Sequence, residues 1–231
     1  MNGNVIILSI ILCVLTFPGA APADDKATVI TYYNMTRGDE EKLRFMDGKW
    51  IFIVPDQSVK ITVLDIENGY FEYRTGIGVK VTVALFMAKN REPMLAEFHE
   101  YYGTDGCPDA EYIIRTYKLR EGRMAEVRNI LPVIHLELFF KNGYDPKKIA
   151  PYVAPDRDWN KYIRYRLPQM GTTVEAFLYA GDLECAISRS GESMAAKERG
   201  TRREFLNNLR KEPVKLKWNM ETGTFDPPGQ G

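Results

Sequence analysis

The sequence predicts an α+β protein built from antiparallel β-meander sheets with a few short helices. Apolar and polar residues alternate through several short runs between residues 50 and 127, and turn signals rich in Gly, Asn, Asp and Pro separate these runs. Helical spacing of apolar residues occurs only in short stretches. Because the connections are too short for the crossovers that parallel strands need, we expect antiparallel pairing.

The first 23 residues are typical of a secretory signal peptide. They contain no Lys, Arg, Asp or Glu, and an apolar run covers residues 5–17. Pro18 and Gly19 end the run, and Ala21-Pro22-Ala23 forms a small-x-small site before Asp24. An uncleaved anchor is the alternative, but a spanning helix needs ~20 apolar residues, more than this run holds. We expect cleavage after residue 23 and export to the periplasm or the medium.

The mature chain is expected to form one globular unit from two halves. Residues 24–144 predict a β-rich first half, and residues 145–226 predict a second α+β half with a Pro-rich loop at 143–158. Its length suffices for one well-buried domain or two small ones. Residues 227–231, Pro-Pro-Gly-Gln-Gly, are expected to be a disordered tail.

In the first half, one short helix precedes a series of strands. Residues 39–47 predict the helix, because Leu43 and Met46 lie three apart and Gly48 can end it. The clearest strand has five apolar residues on one face, which we expect to be buried: Val79, Val81, Val83, Leu85 and Met87. Strands are predicted at residues 50–54, 59–64, 70–73, 79–87, 94–102, 112–119 and 124–127, with those from residue 70 onward in a single sheet.

The second half predicts short helices at residues 136–140 and 194–210. Strands are predicted at residues 162–167, 172–179, 183–188, 214–219 and 224–225. The sequence of residues 82–98 is similar to that of residues 173–187, and the strand, Gly turn and short strand of residues 117–124 correspond to those of residues 216–225. This repeated order predicts a duplicated β unit. The alternative is that any two apolar β-hairpins look alike.

Short motifs in the last third carry a resemblance to known proteins. These are Leu167-Pro168, Gly171-Thr172-Thr173 and Leu216-Lys217-Trp218-Asn219, followed by Gly223 and Phe225. With the strand-rich middle, this layout resembles uncharacterised exported bacterial β-rich proteins. Those proteins have no assigned function, so the resemblance implies a fold and no activity.

Charge and cysteine content limit the function classes. The chain carries 31 basic and 31 acidic side chains, so nucleic-acid binding lacks its usual electrostatic driving force. Cys107 and Cys185 remain after cleavage of the signal peptide, and the oxidising compartment favours a disulfide between them. The bond would close a loop of about 80 residues, worth ~4 kcal/mol in the chain-entropy model. Two separate buried thiols are the alternative.

Common catalytic and metal-binding motifs are incomplete in this sequence. His99-Glu100 begins H-E-x-x-H, but Gly103 stands where the second His is needed. His135-x-Glu137 begins a deaminase motif that no P-C-x-x-C follows. No serine of the mature chain lies in G-x-S-x-G, and a catalytic cysteine would need a free thiol. We therefore expect no metal and no cofactor.

The best candidate for a binding surface is one face of the predicted strand 94–102. Glu97, His99 and Tyr101 share this face, and Tyr102 follows directly. An ordinary polar, solvated sheet face is the alternative. Glu100 is three residues from Glu97 and must face the other way, so the two cannot act as a pair.

The absence of these motifs favours an exported, non-catalytic protein that binds a partner protein, an envelope component or a glycan. No membrane contact is expected after cleavage, and the oligomeric state does not follow from the sequence. The alternative is a hydrolase that acts on an envelope polymer through paired carboxylates. An enzyme should have a deep cleft with convergent carboxylates and a raised carboxyl pKa, and a binder a shallow apolar or aromatic patch.

Overall fold

The computed structural model describes residues 27–52, 58–101, 112–146, 162–179, 181 and 196–229. The predicted signal peptide at residues 1–23, the predicted strand at 183–188, and Tyr102, Cys107 and Cys185 lie outside the described residues. Cleavage, export and the disulfide therefore stay predictions. Within the described residues, no helix is long and apolar enough to cross a membrane.

A short helix and a hairpin begin the described chain. Helix α1 (Val29–Asn34) starts at a capping box between Thr28 and Thr31 and buries one face. The hairpin joins β1 (Leu43–Met46) to β2 (Lys49–Phe52), so the helix predicted over 39–47 is wrong beyond a single 3₁₀ turn, Asp39–Glu41. Asp47 and Gly48 both have positive φ, 51° and 76°, as a type I′ hairpin turn requires.

Six antiparallel strands form the main sheet, in chain order from one edge to the other. This arrangement confirms the predicted single sheet from residue 70 to residue 127, because consecutive strands joined by tight turns pair with each other. The strands are β3 (Val59–Asp65), β4 (Tyr70–Thr75), β5 (Val79–Met87), β6 (Pro93–Tyr101), β7 (Ile113–Arg120) and β8 (Arg123–Glu126).

A smaller four-stranded sheet packs against the main sheet. It contains β9 (Ile163–Arg166), β10 (Thr173–Leu178), β11 (Val214–Asn219) and β12 (Thr224–Phe225), in the order β12-β11-β10-β9, with helix α2 (Ala196–Asn208) before β11. Both the final hairpin and the 194–210 helix are confirmed to within a few residues. The predicted helix at 136–140 is a 3₁₀ turn, Leu136–Phe139, and His135 is exposed just before it.

An aromatic cluster joins the two sheets. The rings of Phe86, Trp218 and Phe225 lie 5.2–5.4 Å apart, centroid to centroid. The indole Nε1 of Trp218 also donates a 3.0 Å hydrogen bond to the carbonyl of Met87. The larger hydrophobic core therefore contains residues from both halves of the chain.

Strand β5 is buried on both faces. Val79, Val81 and Val83 are buried, as predicted, and they pack in one cluster with residues of α1. Phe86 and its neighbours on the other face pack against the smaller sheet. The predicted buried face ends early, because Leu85 is half-buried and Met87 is 37% exposed. A strand covered on both sides loses the simple alternation of buried and exposed residues.

Strand pairing argues against the duplicated β unit. In the proposed alignment, β10 corresponds to β5 and β11 corresponds to β7. β10 pairs directly with β11 and, on its other edge, with β9. In the main sheet β5 pairs with β4 and β6, and β7 pairs with β6 instead. The two sets of strands therefore have different neighbours.

Two methionines give a matched test of the burial pattern. Met94 of β6 is 1% exposed, and Met87 at the end of β5 is 37% exposed. Met94→Ala should lower the free energy of unfolding by about 2–5 kcal/mol, because it opens a cavity in the core. Met87→Ala should lower it by less than about 1 kcal/mol. Urea denaturation measures both, and equal losses would contradict the packing described here.

Candidate functional site

The predicted binding face of β6 is closed at Glu97 and only partly exposed at His99 and Tyr101. Glu97, His99 and Tyr101 do share one face, but α1 lies over its centre. The Glu97 side chain is completely buried, His99 is 12% exposed and Tyr101 is half-buried. Glu97 is therefore an internal charged group, and the sequence-based expectation of an exposed polar surface is wrong for this residue.

A buried ion pair holds the Glu97 carboxylate. Arg37, just after α1, places its Nη2 atom 2.5 Å from Glu97 Oε1. The second oxygen, Oε2, lies 3.3 Å from His99 Nε2 and accepts a 3.3 Å hydrogen bond from the Tyr117 hydroxyl. The Arg37 guanidinium also lies 4.7 Å from the centre of the Tyr33 ring. Both carboxylate oxygens thus have partners, as a buried charge requires.

The surroundings of Glu97 keep it ionised. Burial alone would raise its pKa, but the hydrogen bond with His99 and the charge of Arg37 outweigh burial, so the pKa lies below its usual value. Burial also raises the pKa of Tyr117 to about 12, with a further contribution from Glu97. A carboxyl with a lowered pKa does not suit a general acid, which must keep its proton. We assign this cluster a structural role.

A separate cleft of about 200 Å³ lies between the two sheets. The main sheet contributes charged side chains to it, and strands β9 and β10 contribute arginines and aromatic rings. Glu100 lines this cleft, on the face of β6 opposite to Glu97, as the sequence predicts. It is the candidate functional site because it gathers polar groups of both signs beside aromatic rings, in a concave place where ligands commonly bind.

Strand register produces the row of charges in the cleft. Lys80 of β5 is directly opposite Glu100 of β6, and its Nζ atom lies 3.6 Å from Glu100 Oε2 and 3.2 Å from Oε1 of Glu72 on β4. The Tyr70 hydroxyl donates a hydrogen bond to Glu72. Arg164 Nη1 approaches Glu100 Oε1 at 4.0 Å from the smaller sheet. The ammonium of Lys80 therefore bridges two carboxylates, one from each of the strands that flank β5.

Aromatic side chains form the opposite wall of the cleft. Phe177 near the end of β10 and Tyr179 just beyond it both line the cleft, with ring centroids 5.6 Å apart. The guanidinium of Arg166 lies 4.8 Å from the Phe177 ring, and that of Arg164 lies 4.7 Å from the Tyr179 ring. Each ring of this wall therefore has a guanidinium within the distance of a favourable cation–π contact.

Sequence reasoning did not find this cleft. Alternation along residues 173–179 does signal a face with Glu175, Phe177 and Tyr179 opposite a buried apolar face. In the folded protein, this face lies opposite Glu72 and Glu100. That placement depends on contacts between strands that are about a hundred residues apart in the sequence, so local alternation does not reveal it. In the described part of the chain, no group of three or more His, Cys, Asp or Glu is placed to hold a metal ion.

Comparisons with known proteins give a structural similarity and no family. No family model matches the chain, and no curated protein matches it. A solved structure of a domain of an uncharacterized protein from Porphyromonas gingivalis W83 is similar, with 12% identity and a TM-score of 0.46, over 74% of this chain and 81% of that one. A similarity this low carries no argument about function.

The buried ion pair predicts a pH-dependent stability. Glu97→Gln should cost about 3–5 kcal/mol at pH 7, because it leaves the Arg37 charge buried without its partner. Since the pKa of Glu97 is lowered in the folded state, its contribution is complete above the unfolded value of about 4.3 and is lost as the pH falls through the folded value. The difference between wild type and variant should therefore shrink in acid.

Urea denaturation of both proteins from pH 7 to pH 2.5 measures this difference. Glu221→Gln is the matched control, because Glu221 pairs with Lys89 at 2.8 Å on the exposed surface, and it should change stability by less than about 1 kcal/mol. A wild-type advantage over Glu97→Gln that stays constant across this range would contradict the assignment of the charge to Glu97.

Proposed function

We propose that this protein is an exported, non-catalytic binder that takes a glycan in the cleft between its two sheets. The observation that carries the proposal is the Phe177–Tyr179 wall facing the Glu72–Lys80–Glu100 row. Sugar rings offer apolar C–H faces that pack on aromatic rings, and hydroxyl groups that both donate and accept hydrogen bonds. Carboxylates accept such bonds, and ammonium and guanidinium groups donate them.

The size of the cleft suits one sugar unit of a longer glycan. Its volume of about 200 Å³ is below the ~300–1,000 Å³ that is usual for pockets that enclose a whole small molecule. The charged residues of the row are part-exposed, between 12% and 22%, so a ligand can reach them without opening the core. A terminal or internal sugar of a glycan would fit this geometry.

The paired carboxylates of the cleft make a hydrolase the second candidate. A glycosidase needs one protonated carboxyl and one free carboxylate on either side of the bond to be cut. Here the same ammonium, that of Lys80, contacts both Glu72 and Glu100. Both acids are thereby engaged in an ion-pair network, which favours binding over hydrolysis.

The compartment in this proposal rests on the first 23 residues alone. A protein carried by such a signal peptide meets envelope and cell-surface glycans after export. The neutral net charge of the chain fits a polar, uncharged or mixed-charge ligand better than a polyanion.

A glycan array tests the proposal with purified protein that begins at residue 24. Phe177→Ala and Glu100→Gln should each weaken binding to the best glycan at least ~10-fold, equivalent to ~1.4 kcal/mol. The first change removes an aromatic ring on which a sugar would pack, and the second removes a charged hydrogen-bond acceptor. Phe45→Ala and Glu221→Gln are the controls, since Phe45 is 40% exposed on β1 and Glu221 lies outside the cleft.

Two results would contradict glycan binding by the cleft. The first is the absence of any bound glycan on the array. The second is binding that the cleft variants and the controls affect equally. Release of new reducing ends from a bound glycan, abolished by Glu100→Gln, would identify the protein as the hydrolase instead.

A further inference from the structure

One edge of the main sheet extends past its last partner strand. β8 pairs with β7 only from Tyr117 to Arg120. The pairing ends at Thr116, whose carbonyl accepts a 2.8 Å hydrogen bond from the backbone N–H of Val127 and whose Oγ1 donates 2.7 Å to the Val127 carbonyl. Residues 113–115 continue β7 beyond this point. On their outer side no strand pairs with them among the residues that the structure describes.

The backbone of Ile114 points toward this open side. In an antiparallel strand, alternate residues direct both their N–H and C=O groups to the same edge. Because the Thr116 carbonyl bonds outward to Val127, Ile114, two residues earlier, also presents its N–H and C=O outward. Such an unpaired edge is a template for another extended chain.

A groove of about 470 Å³ runs beside this edge. Its near side is β7, and its far side is the segment 127–134, which turns away from the sheet at Asn129, where φ is 67°. The Ile130 carbonyl accepts a 3.1 Å hydrogen bond from the Phe225 backbone N–H, which fixes this far side to β12. The groove lining includes aliphatic side chains: Ile113, Ile114, Ile130, Leu131, Val133 and Ile134.

We propose that this groove binds an extended peptide segment of a partner protein, which adds a strand to β7. Main-chain hydrogen bonds to Ile114 would supply affinity, and the aliphatic lining would take alternate apolar side chains of the peptide. Among the described residues that line the groove, two are basic, Arg115 and Arg128, and one is acidic, Glu126, so an acidic residue in the peptide complements the charge.

The walls of the groove favour a single peptide strand over a second copy of this chain. A sheet edge from another copy would carry its own neighbouring strand and its own segment 127–134. These would clash with segment 127–134 on the far side of the groove. The site is distinct from the glycan cleft, although Tyr165 lines both, so either proposal can fail without the other.

A phage-displayed library of random linear 12-residue peptides is the probe for this site. Peptides selected on the wild-type protein should alternate apolar residues and carry an acidic residue. Val133→Asp should weaken their binding at least tenfold, because it puts a negative charge at the groove. Met170→Asp is the matched control, since Met170 is 75% exposed outside the groove and Val133 is 77% exposed.

Amide hydrogen exchange supplies the backbone readout. The Ile114 amide should exchange rapidly in the free protein and slow at least tenfold when a selected peptide is bound. Selection of no peptide, equal binding to Val133→Asp and Met170→Asp, or an Ile114 amide that the peptide leaves unprotected would each overturn the proposal.

Discussion

The buried carboxylate of Glu97 is the constraint on which the rest of the architecture depends. It lies inside the main sheet with no exposed surface, where an unpaired charge would cost several kcal/mol. Arg37 supplies the opposite charge, and Arg37 can reach it only if the segment after α1 crosses this face of the sheet. The same crossing places Val29, Ile30 and Tyr33 over Val81 and Val83, so one ion pair fixes where the smaller hydrophobic core forms.

The second face of the main sheet carries the candidate cleft. The cluster of Phe86, Trp218 and Phe225 holds the smaller sheet against it. At the ends of β5 and β6 that lie away from this aromatic cluster, the face carries the charged residues Lys80 and Glu100 instead of apolar ones. There the two sheets are separated by the cleft. Strands β5 and β6 therefore carry a structural charge on one face and the candidate binding charges on the other.

Much of the fold followed from local patterns, whereas the site did not. Turn signals such as Asn68-Gly69 and Thr222-Gly223 lie where the structure turns, because such turn chemistry is local. The prediction that Gly48 ends a helix is wrong, because a glycine of this kind also closes hairpins, as Asp47-Gly48 does here. Glu97 looked like an exposed residue because its partner, Arg37, lies 60 positions earlier. The cleft combines strands still further apart, and sequence periodicity contains no information on that pairing.

A double-mutant cycle on the buried ion pair tests this account most directly. Arg37→Met, Glu97→Gln and the double variant would each be compared with the wild type by urea denaturation at pH 7. The account predicts that the double variant loses at least ~2 kcal/mol less than the two single losses together, because each single change leaves one buried polar partner unsatisfied. Losses that add to within ~0.5 kcal/mol would show that Arg37 and Glu97 act independently, and would contradict the claim that this pair anchors α1 to the sheet.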